Sequence, residues 1–176
     1  DYAKRCLSVA AEIKQDILDN GWNEQVGAFT MHYGSQDMDA ANLLMLHYGF
    51  LDAKDPRMVA TVKRTFEKLV RNDFAMRYTA ADEFGVPENA FIVCTFWVIN
   101  ALYLIGEEAK ARAMFENMIK CSNRHGLFSE DIEVSTRRLT GNFPQGYSHL
   151  AFIQTALLLE TDYNWSDVFK ERNNRP

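Results

Sequence analysis

The chain is short of charge of one sign, short of cysteine and free of long apolar runs, and each shortage removes a class of function. Its 19 Lys and Arg and 24 Asp and Glu give a net charge of -5 and are mixed along the chain without a basic block. A phosphate backbone or an anionic membrane would have nothing to bind, so no nucleic-acid partner and no membrane partner is expected. The three cysteines, Cys6, Cys94 and Cys121, are odd in number and far apart. That argues against a disulfide framework and against a zinc site, and leaves reduced thiols in a cytoplasmic protein as the expectation. No apolar stretch reaches the roughly 18 to 20 residues needed to span a bilayer. The chain opens directly on a helical pattern (Tyr2, Cys6, Val9, Ala10, Ile13, Ile17), without the charged leader and apolar core of a secretion signal. No metal-ligand constellation is evident, so neither metal nor cofactor is expected.

What the chain has is helical periodicity. At 176 residues and 47% hydrophobic content it is long enough for one domain with a real core, expected over residues 1–176. Breakers separate six periodic segments. The first, over 3–20, ends at Gly21. The second, over 40–48, is short and apolar, with Asp37 or Asp39 as possible caps. The third starts at Asp55-Pro56, a cap followed by proline at the first helical position, and aligns Val59, Val62, Phe66 and Leu69. The fourth, over 90–105, is apolar almost all round. The fifth, over 107–121, is amphipathic, turning Ala113 or Met114 and Met118 inward. The sixth, over 145–159, is again apolar on most sides.

Amphipathic and buried helices thus alternate. A toroid of helical hairpins produces that pattern, because its inner ring is covered on both sides and its outer ring on one. Buried segments begin near residues 40, 90 and 145, a period of about 50 residues, and three hairpins make an open arc. The loops before the buried helices, 32–40, 76–91 and 124–149, would open at one end of that arc, and they are rich in carboxylates and aromatics. The last has roughly twenty residues without periodicity, a length that is either functional or disordered in a compact domain. Leu127, Phe128, Phe143 and Tyr147 predict order.

At this last loop Gly126-Leu127-Phe128-Ser129-Glu130 is followed by Gly141-Asn142-Phe143-Pro144-Gln145-Gly146-Tyr147-Ser148-His149. Upstream lie Gly34-Ser35-Gln36-Asp37-Met38-Asp39-Ala40, Asp55-Pro56-Arg57, Arg77-Tyr78, and Glu88-Asn89-Ala90-Phe91 before Cys94-Thr95-Phe96-Trp97. In this order the segments resemble the glucoamylases and related bacterial glucohydrolases of glycoside hydrolase family 15. The resemblance implies an all-α fold, the (α/α)6 toroid, of which this chain would be the C-terminal half with three hairpins and six helices. It also implies an inverting, exo-acting hydrolase that releases glucose from starch-type oligosaccharides, isomalto-oligosaccharides or trehalose.

Carried over position by position, the resemblance makes Glu130 the general base that activates water, with Asp131 and Glu133 as neighbouring acids off the motif position. It makes Arg77 a donor to sugar hydroxyls, a task that suits a planar multi-donor fork. Glu88 would join the same pocket, Tyr147 could reach it, and Asp39 would support it. Each has a structural alternative: an internal salt bridge for Arg77, a first-turn dipole partner for Glu88, a helix cap for Asp39. Trp97 and His149 suit core packing or a satisfied buried hydrogen bond. The family's general acid sits in a W-E-x-R-G segment, and none occurs here. The expected partners are therefore an α-glucoside and a missing N-terminal half of the domain, with self-association if that half is absent. Two other functions stay open: a catalytically silent carbohydrate-binding or regulatory domain, and a helical-repeat scaffold.

Overall fold

A computed structural model describes residues 1–83 and 85–162; residues 163–176 of the single domain expected above lie outside the described residues. In chain order the elements are α1 (Tyr2–Asn20), β1 (Trp22–Asn23), β2 (Ala28–Phe29), a 3-10 turn (Ala40–Leu43), α2 (Leu44–His47), α3 (Pro56–Leu69), β3 (Val70–Arg71), β4 (Phe74–Ala75), β5 (Ala90–Phe91), α4 (Ile92–Leu104), α5 (Glu108–Ile119), β6 (Asp131–Ile132), β7 (Leu139–Thr140) and α6 (Gly146–Thr161). Helix α4 is the hub. Apolar on every side, it buries Ile92 through Ile99 and packs on α5, α6, α3 and the 3-10 turn. Thr95 bonds outward from this hub, accepting from the Ala75 N–H at 2.9 Å and so tying β4 to α4.

The outer helices behave as one-sided stripes. Asp55 caps α3 through the Arg57 N–H at 2.9 Å, and the buried face runs through Met58, Thr61, Val62, Thr65 and Leu69, a slight rotation from the stripe expected. Of the two threonines inside, Thr61 serves a loop, its hydroxyl accepting from the Phe29 N–H, whereas the Thr65 hydroxyl is buried without a hydrogen-bond partner among the described residues. On α5 the inward residues are Ala111, Met114 and Met118, whereas Ala113 faces out. The six helices among the described residues fit the all-α expectation, and α3, α4 and α5 follow the expected alternation of one-sided and buried helices.

Three expectations change. The segment over 40–48 does not form a full helix; it is a 3-10 turn and one turn of α-helix, stopped at Gly49 with φ +66°. Helix α1 has the periodicity of a packed helix, yet no residue of it is buried and only Ile17 and Leu18 are half-covered. Helix α6 is apolar on most sides, but Leu150, Ile153 and Leu157 are 68%, 53% and 44% exposed. Periodicity records which face is to be covered and is silent on what covers it.

The chain also carries short strands that no period of two announces, since a strand of two residues has none. They pair as β1 with β2, β3 with β4, and β5 with β6 with β7, all antiparallel. The three-stranded sheet matters most. It crosses the entrance of α4 and fastens the loop over 124–149 to it. Among the described residues no helix is long and apolar enough to cross a membrane.

Candidate active site

The loop over 124–149 is held from beneath by its aromatics. Phe128 is 1% exposed and meets the rings of Phe96 and Phe152, with centroids 5.8 and 5.6 Å away. Its N–H donates to His149 Nε2 at 3.2 Å, while His149 Nδ1 lies 2.7 Å from the Gln145 carbonyl. These partners assign the tautomer: Nε2 accepts, so Nδ1 carries the proton and donates. Ser148 on α6 donates to the Ser129 carbonyl at 2.8 Å, and the Ser129 hydroxyl to the Asp131 carbonyl. Trp97 is 8% exposed and belongs to the core. Phe143 and Tyr147, two of the residues that predict order in this loop, are 52% and 48% exposed. Phe128, together with the fully buried Ile132, anchors the loop to the core.

This foundation carries Glu130 to the mouth of α4. Its carbonyl accepts from the Ile92 N–H at 3.0 Å, and its own N–H donates to the Asn142 carbonyl at 2.9 Å. Its neighbour Asp131 pairs with Phe91 across β5 and β6. The side chain of Glu130 then faces a cleft of about 480 Å³ lined by Arg77, Tyr78, Asp82, Pro87, Glu88, Asn89, Phe91, Glu130 and Asp131. Three of the five residues singled out in the sequence, Glu130, Arg77 and Glu88, therefore share one hollow.

The other two lie around it. Asp39 is 8% exposed and sits behind Arg77, accepting from Arg77 Nε at 2.6 Å and from the Ala41 N–H at 2.7 Å. It caps the 3-10 turn and aims the guanidinium together, so its capping role and its Arg77 contact coexist. The ion pair raises the Arg77 guanidinium further above its ordinary range. The rest of the guanidinium forms no hydrogen bond among the described residues and is turned to the cleft. Tyr147 stands outside the lining, edge-on to Phe91 and Trp97 at 6.4 and 6.0 Å. Burial beside these rings pushes its phenol up. Glu88 is exposed at the rim.

The most perturbed carboxyl is Asp131, pushed up to about 6 by its own burial and then by the negative charge of Glu130. Glu133 points elsewhere, accepting from Thr136 and Ser135 in the turn between β6 and β7. Among the described residues no group of three or more His, Cys, Asp or Glu is arranged to hold a metal ion. Cys94 is buried and its thiol pushed up by that burial, so it is no nucleophile at neutral pH. Sequence reasoning gave no role to Tyr78, whose hydroxyl donates to Asp82 at 2.6 Å, or to Asn142, which meets the Glu130 carboxylate. The Gly141-Asn142 step inside a quoted motif was the available signal.

Helices packed around a buried hub, with paired acids and an arginine in a cleft at its N-terminal end, are the arrangement a helical-toroid fold would give. The comparisons agree with that class. Residues 1–157 match the family described as Glycosyl hydrolases family 15. A trehalase of Mycolicibacterium smegmatis is 35% identical over 178 residues, covering 98% of this chain and 26% of that protein. A trehalase of Thermoplasma acidophilum is 36% identical over 158 residues, covering 89% and 27%. Among solved structures, a wild-type glycosidase superposes with a TM-score of 0.78 at 19% identity, covering 90% of this chain and 45% of that one. A glycosidase variant in complex with glucose gives 0.78 at 18% identity over the same shares. The chain belongs to glycosyl hydrolase family 15, and its fold is a mostly helical portion of the (α/α)6 type. It spans about a quarter of the length of the trehalases it matches.

Proposed function

We propose that the polypeptide to which this chain belongs is an inverting, exo-acting α-glucoside hydrolase, with Glu130 as its general base. The observation that carries this is the cleft itself: Glu130, held rigidly by backbone bonds on both sides, shares it with Arg77 and Glu88. In the reaction the Glu130 carboxylate takes a proton from water while the water oxygen bonds to the anomeric carbon. The glycosidic C–O bond breaks toward the leaving oxygen, which takes a proton from a second carboxyl. Inversion needs that acid roughly 6.5–9.5 Å from the base. The second carboxyl is assigned to another part of the polypeptide, against which the uncovered faces of α1 and α6 would pack. Arg77, Glu88 and, from the rim, Tyr147 would hold sugar hydroxyls, and Asp39 would aim Arg77.

Among α-glucosides, the names of the relatives favour trehalose. A cytoplasmic setting fits the three unpaired thiols. The test is glucose release from trehalose, maltose, maltotriose and isomaltose by the full polypeptide, with the anomers followed by NMR. Inversion on trehalose yields one β-glucose and one α-glucose per turnover, because only the attacked carbon changes configuration. Glu130→Gln should lower turnover by about 10²–10⁴. Early release of α-glucose alone would refute inversion. No turnover of any of these sugars by the folded polypeptide would favour the silent carbohydrate-binding reading.

A further inference from the structure

A general base must present one defined oxygen to water, and an unsupported glutamate has three side-chain rotations with which to miss. The structure supplies a support that the catalytic reading does not use. Glu130 Oε2 accepts from the Asn142 N–H at 3.1 Å and from Asn142 Nδ2 at 2.9 Å. Both donors come from one residue, and the Asn142 carbonyl also accepts from the Glu130 N–H, closing the arrangement at both ends of Glu130. Oε1 receives no hydrogen bond among the described residues.

The preceding residue makes this approach possible. Gly141 has φ +74°, and a Cβ placed on it would lie 3.0 Å from Glu130 Cβ, 3.1 Å from Glu130 Oε2 and 3.4 Å from Asp131 Oδ2. Any side chain at 141 would meet the carboxylate that Asn142 holds and would be strained in that backbone conformation. Glycine followed by a two-donor residue is therefore what this contact requires.

Resting on the assignment of Glu130 as base, we propose that Asn142 is the positioning residue of the reaction: it fixes Oε2 and leaves Oε1 as the oxygen that takes the proton from water. Asn142 itself touches no reacting atom. It acts by limiting the carboxylate to one orientation, so its removal lowers the rate of the chemical step and leaves substrate binding alone.

The experiment is a double-mutant cycle in the full polypeptide, measured on trehalose with thermal unfolding followed in parallel. Asn142→Ala keeps the backbone donor and removes the other. Asn142→Asp keeps the shape and sets a second carboxylate against Oε2. Losing a hydrogen bond to a charged group corresponds to about a tenfold to hundredfold loss in kcat, with KM unchanged within about twofold. Asn142→Asp should lose at least as much. In the Glu130→Gln background neither change should lower the residual rate further, because the group Asn142 acts through is already gone. An equal loss in both backgrounds would mean a merely structural role and would overturn the proposal. So would wild-type kcat for Asn142→Ala alongside an inactive Glu130→Gln. Wild-type turnover by Glu130→Gln would instead remove the base assignment, and the proposal with it.

Discussion

Replacing Asp131 with asparagine should stabilise the protein at neutral pH and leave it unchanged in acid. The carboxyl moves from an ordinary 3.8 to about 6 on folding, because it is half-buried and then because Glu130 stands beside it. The folded protein thus binds the Asp131 proton more tightly than the unfolded chain does. The stabilising contribution is complete below pH 3.8 and is lost as pH rises through about 6. A change of about two powers of ten in proton affinity is worth about 3 kcal/mol in full burial. Solvent on the open side of the cleft reduces this to about 1–2 kcal/mol. Asparagine resembles the protonated acid in shape and charge, so Asp131→Asn should match wild type near pH 4 and exceed it by that amount near pH 8. The assay is thermal unfolding of both proteins across this range. In a Glu130→Gln background the gain should shrink but persist, since burial is the larger cause. A gap between the two proteins that does not vary with pH, or a loss near pH 8, would refute the reasoning.

Asp39 divides into two roles that chemical denaturation can separate. Asp39→Asn keeps the cap on the Ala41 N–H and loses the charge facing Arg77, at a cost of about 1 kcal/mol given the exposure of the guanidinium. Asp39→Ala loses the cap as well and should cost about 2 kcal/mol; equal losses would contradict the double role. Phe128→Ala should cost about 3–5 kcal/mol, since the ring is fully enclosed between Phe96 and Phe152. A loss under 1 kcal/mol would mean that something other than this ring anchors the loop carrying Glu130. The 176-residue chain on its own should sediment as a dimer or larger, through Leu150, Ile153 and Leu157 on α6 and the exposed stripe of α1. Leu150→Lys with Ile153→Lys should shift it toward monomer, and a wild-type monomer at high micromolar concentration would contradict this.

Some of this was determined by the sequence alone. Local physics decided where α3, α4, α5 and α6 run: the Asp55-Pro56 start, the all-round apolarity of 92–104, the glycine after it, the periodic methionines of α5. The same holds for membership of the family, whose motifs lie in order along the chain. Short-range signals need only neighbours in the chain to be read.

Tertiary structure decided the rest, because the interactions concerned join residues remote in sequence. The two-residue strands have no period, and their pairing across 40 residues is what fixes Glu130 at the mouth of α4. Asp39 read first as a cap, and only its contact with Arg77, 38 residues away, showed that the capping carboxylate also holds the guanidinium. Phe143 and Phe128 are alike as letters; only packing separated the exposed ring from the buried one. The apolar stripes of α1 and α6 were legible as faces to be covered, yet coverage is a property of the assembled molecule. The hold of Asn142 on Glu130 spans 12 residues and depends on a glycine backbone conformation that no side-chain pattern records.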